Sequence, residues 1–117
     1  MKNRFYLAGP MSGLPDLNFP AFHAEAARLR ALGYDVVNPA EINADPAAGW
    51  NACMRADIAQ LVTCDGIALL SGWQASRGAR IEHNLAHSLN MTVIEAQALK
   101  TPLRAKAAVQ ATDWAAA

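Results

Sequence analysis

The chain predicts a single α/β domain of the Rossmann-like or flavodoxin-like kind, three layers thick, around a parallel sheet of four to five strands. Three observations carry this. Short apolar runs of strand length alternate with stretches of helical periodicity in the order β-α-β-α-β-α-β-(α). Glycine or proline punctuates most of the boundaries between them. A length of 117 residues suits one domain with a modest core, since 26 of the apolar residues are alanines.

Arg4 to Ala8 (RFYLA) is an aromatic and apolar run closed by Gly9-Pro10, which makes it the first strand. Phe19, Phe22, Ala26 and Leu29 recur at spacings of three and four, the mark of an amphipathic helix, with Pro20 tolerated in its first turn and Gly33 as terminator. Tyr34 to Val37 is a second strand, stopped at Asn38-Pro39, and Ala40 to Gly49 reads as a polar loop. Met54, Ile58, Leu61 and Val62 mark the next helix. Gly66 to Leu70 (GIALL) is apolar throughout, as expected of a strand buried on both faces. After a loop from Ser71 to Gly78, Ile81, Leu85 and Leu89 mark a helix, and Thr92 to Ile94 a fourth strand. Leu103 to Val109 suits a last helix, followed by an alanine-rich tail, so that residues 1–98 form the domain and 99–117 an appendage.

Ten basic and ten acidic residues cancel, which gives no global attraction to nucleic-acid polymers or anionic lipid. No apolar run approaches the length of a membrane span or a signal peptide. Cys53 and Cys64 form neither a CxxC pair nor a disulfide framework and read as packing residues, in keeping with a reduced, cytoplasmic setting. His83 and His87 share a helix face without a third ligand, so no metal site is expected.

In open parallel sheets ligands bind beyond the carboxyl ends of the strands. This rule selects three loops: Gly9 to Gly13, Asn38 to Gly49, and Ser71 to Gly78. The first reads Gly9-Pro10-Met11-Ser12-Gly13, small enough for close backbone approach to an anion, yet neither a P-loop nor GxGxxG. In the third, Ser76 can cap the helix that begins near Arg77-Gly78, a combination that suits a phosphate. Glu82, about one turn further on, can face the crevice while Ile81 and Leu85 face the core. Asp57, beside Ile58, can reach the same crevice, and two such carboxylates can divide acid and nucleophile roles. Asp65 falls at the far end of its strand and suits a backbone-orienting role. Tyr6 needs a partner for its hydroxyl if buried, and plain core residence fits it equally. Trp73 fits both a stacking partner for a nucleobase and a cover for the sheet edge.

The ordered set FYLAGPMSG, NFPAF, LRALGYDVVNPAE, MRADI, CDGIALLSGW and SRGARIE resembles the nucleoside 2-deoxyribosyltransferase superfamily over roughly residues 4 to 95, most closely a small bacterial and phage-associated branch of it. The resemblance implies cleavage of the N-glycosidic bond of a deoxynucleoside or its 5′-monophosphate, with a small-molecule ligand, no metal or organic cofactor, and a homodimer or larger assembly. It places the nucleophile at Glu82, in a G-x-x-x-E segment starting at Gly78. It puts the residue serving the base at Asp57, the tyrosine orienting the glutamate at Tyr6, and a phosphate-contacting serine at Ser76. The hydrolase branch carries an arginine in the first loop where this chain has Ser12; Arg77 or Arg80 is the substitute at hand. A non-catalytic nucleotide-binding or sensing module on the same fold is the alternative that the residues leave open.

Overall fold

The computed structural model describes residues 3–42 and 46–102. Four parallel strands, β1 (Arg4–Ala8), β2 (Asp35–Val37), β3 (Gly66–Leu69) and β4 (Thr92–Glu95), lie in the order β2-β1-β3-β4. The helices are α1 (Phe19–Ala31), α2 (Pro39–Ile42), α3 (Trp50–Leu61) and α4 (Arg77–Ser88). This is a Rossmann-like domain with the flavodoxin-type strand order. The expected last helix and tail, from Leu103 on, fall outside the described residues. No helix among those described is long and apolar enough to cross a membrane.

The alternation of the strands sorts the core into two halves. Phe5 and Leu7 of β1 join Phe22, Ala26 and Leu29 of α1, with Val36, Ala68 and Leu99. Tyr6 and Ala8 point the other way and join Ile67, Leu69, Leu61 of α3, and Ala79 and Ala86 of α4. Both central strands are therefore buried on both faces, as the unbroken GIALL run predicts. On the α1 side Arg28 donates to the carbonyls of Ala96 and Leu99 at 2.8 Å and pairs with Glu25, which seats the segment after β4. Helix α1 ends in a Schellman motif at the expected glycine: Gly33 takes φ +99°, its N–H reaches the Arg30 carbonyl and the Tyr34 N–H reaches that of Leu29.

Two differences from the sequence expectation shape the site. The Ala40–Gly49 loop begins with the short helix α2, because the Asn38 side-chain oxygen accepts the Ala40 N–H at 3.0 Å and Pro39 suits a first helical position. The inner stripe of α4 is also not the one its large apolar residues mark, and that of α3 keeps Met54 and Leu61 but not Ile58 and Val62. Val62 and Ile81 are 50% and 38% exposed, Leu89 is exposed, and Ile58 and Leu85 are only half-buried. The buried stripes are Met54, Asp57 and Leu61 on α3, and Ala79, Glu82 and Ala86 on α4. Each carries a carboxylate at the middle position, i+3, of an i, i+3, i+7 set.

Gly66 of β3 lies between β1 and β4, paired with Phe5 on one side and Thr92 on the other. A Cβ there would sit 2.6 Å from the Phe5 ring and 2.8 Å from the Thr92 carbonyl oxygen. Gly66→Ala is expected to cost roughly 1–3 kcal/mol by overpacking. Urea denaturation checks it: the midpoint falls while the slope is unchanged.

Candidate functional site

The N-termini of α1, α3 and α4 all arrive at the carboxyl ends of β1 and β3, where the strand order reverses. There a cavity of about 710 Å³ opens. Tyr6, Asp57 and Glu82 all line it. Its wall is otherwise mostly apolar, with Met11, Leu14, Phe19 and Phe22 from the first loop and α1, and Trp50, Cys53 and Met54 from α3.

The polar centre rests on one short contact. Tyr6, fully buried in β1, donates its hydroxyl to Glu82 Oε2 at 2.6 Å. Alanines at 79 and 86 let α4 lie close to the sheet, so a glutamate between them reaches the strand. Glu82 is 5% exposed. Burial pushes its carboxyl up to about 8, the Tyr6 hydrogen bond opposes this, and the Asp57 charge adds to the rise. The Tyr6 phenol is raised well above its ordinary value by burial first and then by Glu82 and Asp57, so it remains a hydrogen-bond donor. Asp57, buried on the inner stripe of α3, acts electrostatically on both groups.

At the rim, Ser76 caps α4 by accepting the Ala79 N–H at 3.2 Å, and its hydroxyl proton remains available to a ligand. Arg77 lies over the Trp50 ring, 4.2 Å from its centroid, and joins the N-termini of α3 and α4 across the mouth. Arg80 points elsewhere and donates to the Gln74 carbonyl. Asp16, Leu17 and Asn18 take three successive left-handed conformations, unusual for non-glycine residues, and Asn18 ties this turn to the Pro10 carbonyl at 3.0 Å. The turn presents Leu17 to the cavity.

Of the residues singled out from sequence, Tyr6, Gly9, Pro10, Met11, Ser12, Asp57, Ser76, Arg77, Gly78 and Glu82 line this one cavity. Three stand apart. Gly13 sits in open space at φ +82°. Asn38 is buried, with its amide committed to Ala40 and His23. Trp73 stacks on His83 at 4.4 Å and lines a separate cavity of about 300 Å³ with Glu25 and Glu95. The smallness of Gly9 serves packing against Leu70, whose Cβ would lie 2.8 Å from an added methyl. Asp65 does orient backbone at the far end of the sheet, where it accepts the Arg4 N–H at 3.0 Å. Sequence reasoning missed Leu14, Leu17, Phe19, Trp50, Cys53 and Met54. The signal available was topological: the first turn of every helix that follows a parallel strand starts at the crevice.

A family model described as a domain of unknown function, DUF4406, matches residues 3–95. No curated protein matches the chain.

The raised Glu82 carboxyl ties stability to pH. Between about 4.5 and about 8 the folded protein keeps a proton that the unfolded chain has released, so stability falls as pH rises through that window. Glu82→Gln, which mimics the protonated form, is expected to be the more stable protein at pH 9, by roughly 2–5 kcal/mol, and to lose that advantage below pH 5. Thermal melts at the two pH values decide this; equal melting at pH 9 refutes it.

Proposed function

The chain belongs to the DUF4406 family, and from the geometry of its cavity we propose that it cleaves the N-glycosidic bond of a 2′-deoxynucleoside or its 5′-monophosphate, with Glu82 as nucleophile. The observation that carries this reading is the buried Glu82 carboxyl, held by the Tyr6 hydroxyl at 2.6 Å beside Asp57 in the wall of a largely apolar cavity. The sequence resemblance to the nucleoside 2-deoxyribosyltransferase superfamily supports the same roles for these three residues.

The step balances within the cavity. A Glu82 oxygen forms a bond to C1′ of the deoxyribose as the C1′–N bond breaks, and the electron pair leaves with the base. Asp57 in its acid form, or a water it holds, supplies the proton that makes the base a competent leaving group, help worth on the order of 10²–10⁴-fold. Water then attacks C1′ of the glycosyl ester, gives up a proton to the Asp57 carboxylate and frees Glu82; a second base in place of water gives transfer. Tyr6 holds the carboxylate in one rotamer and lowers its proton affinity toward the ionised form that attack requires.

The proton on Glu82 also favours a second reading. A carboxyl held near 8 is mostly neutral at pH 7 and donates a hydrogen bond, which suits a non-catalytic nucleotide-binding or sensing module. Ligand-induced melting shifts without product identify that case.

Chromatography after incubation with the four deoxynucleosides and their 5′-monophosphates, with and without an acceptor base, tests the proposal. Base release is expected, and Glu82→Ala is expected to lower it by at least about 10³-fold. No release across the panel removes the glycosidic reading. The rate should rise with pH toward 8, as the carboxylate forms. Tyr6→Phe, which deletes the hydrogen bond that favours the carboxylate, should move that rise to higher pH. An unmoved profile in Tyr6→Phe shows that Glu82 is not the titrating group.

A further inference from the structure

The large apolar residues that α3 and α4 do not turn inward have a place of their own, outside the cavity. Both helices lead into parallel strands of one sheet, so they run side by side in the same direction. Gly78 marks the line where they meet, since a Cβ there would lie 3.0 Å from Met54 Sδ. Ile58 and Val62 continue from Met54 at steps of four, and Ile81, Leu85 and Leu89 continue from Gly78 at steps of three and four. These side chains therefore line the outward groove between the two helices. Ile58 and Leu85 are half-buried in its floor, while Val62, Ile81 and Leu89 stand exposed. The groove runs the 12 residues of α4, about 18 Å, or some three turns of a helix laid along it. An exposed apolar strip with a polar rim is the usual form of a protein-docking surface.

The rim carries charge of one sign. Arg55 stands one and two turns before Ile58 and Val62 on α3, Arg77 stands one turn before Ile81 on α4, and both are exposed. Arg4, Arg28 and Arg30 are each held in an ion pair, whereas Arg55 and Arg77 take part in none among the described residues. The acids of these two helices are Asp57 and Glu82, and both are buried against the cavity. A chain with no net charge thus presents here an apolar strip edged by arginine, with no exposed acid on either helix. A second copy packed face to face would bring no acid from its own α3 and α4 to meet these arginines. We infer that the groove between α3 and α4 docks an amphipathic helix of a protein partner, its apolar side over Ile58, Val62, Ile81 and Leu85 and its flanking acids on Arg55 and Arg77. This surface lies outside the cavity and owes nothing to the glycosidic reading.

The test is fluorescence anisotropy of labelled helical peptides against the full chain. Three probes serve: a peptide with leucines on one helical face and glutamates beside them, the same peptide with lysine for glutamate, and one of the acidic composition with its leucines scattered. The acidic amphipathic peptide is expected to bind at least about tenfold tighter than either control, and to weaken as salt is raised. The double variant Val62→Ser, Ile81→Ser should lower its affinity at least about tenfold. Arg55→Glu, an exposed change that disturbs no packing, should lower it severalfold and turn the preference toward the lysine peptide, which neither misfolding nor general stickiness would produce. No binding of the acidic peptide, equal binding of all three, or a preference unmoved in Arg55→Glu overturns the inference. So does a dimer of the free chain, seen by sedimentation, that the double variant dissolves, since the groove then belongs to a second copy. Binding to phosphatidylglycerol vesicles but not to the acidic peptide overturns it in favour of a membrane surface. Arg55 is outside the cavity wall, so base release by Arg55→Glu reports on the glycosidic reading alone.

Discussion

A carboxyl group inside a helix–sheet interface must find a partner or destabilise the fold, and the hydrogen bond from Tyr6 to Glu82 is the constraint around which this domain is arranged. It requires a tyrosine on a strand buried on both faces, a helix close enough for a glutamate to reach it, and a second helix that brings another carboxylate into the same field. Strand order β2-β1-β3-β4 meets the first condition by placing β1 inside the sheet. The inner stripes of α3 and α4 meet the others with the same spacing, a carboxylate three residues after the first member and four before the last.

The apolar wall around these groups sets their chemistry as much as their mutual distances do. Met11, Phe19, Phe22 and Met54 limit the water that would otherwise screen Glu82 and Asp57. Burial is the largest cause of the Glu82 shift, with Asp57 adding to it. The same desolvation that costs folding energy holds one carboxyl ready to exchange a proton near neutral pH. Across the cavity mouth the Trp50–Arg77 stack supplies charge of the opposite sign, so a ligand bound there meets a field with direction.

Much of this was legible in the chain and part was not, for identifiable reasons. The alternation of RFYLA and GIALL with helical stripes is a direct imprint of burial, and it led to the strands and to the crevice loops. Gly33 at the end of α1 and Ser76 at the start of α4 were readable because their backbone roles are local. The stripe of α4 and half of that of α3 were misjudged because large aliphatic residues mark a core face only when they are the residues turned inward. Here Val62 and Ile81 face outward; Asp57 stands between Met54 and Leu61 on α3, and Glu82 between two alanines on α4. Asn38 was attractive by its loop position, but a buried amide beside a proline is used to start α2. Trp50 was overlooked because nothing in its local sequence distinguishes a rim tryptophan from a packing one; only the arrival of α3 at the crevice does. The three left-handed residues at 16–18 depend on an anchor at Pro10, eight residues from Asn18, which local propensity does not register.

Ala79 and Ala86 have a consequence of their own. They carry no functional group, yet their short side chains act as spacers that meter how far Glu82 stands from β1. A bulkier residue at either position would lift α4 like a shim, and the 2.6 Å contact would open long before the core itself failed. Tolerance to substitution along α4 therefore follows clearance from the sheet as well as proximity to chemistry. Two of the plainest residues in the chain belong among the least exchangeable, while packing leaves their larger neighbour Ile81 free to vary.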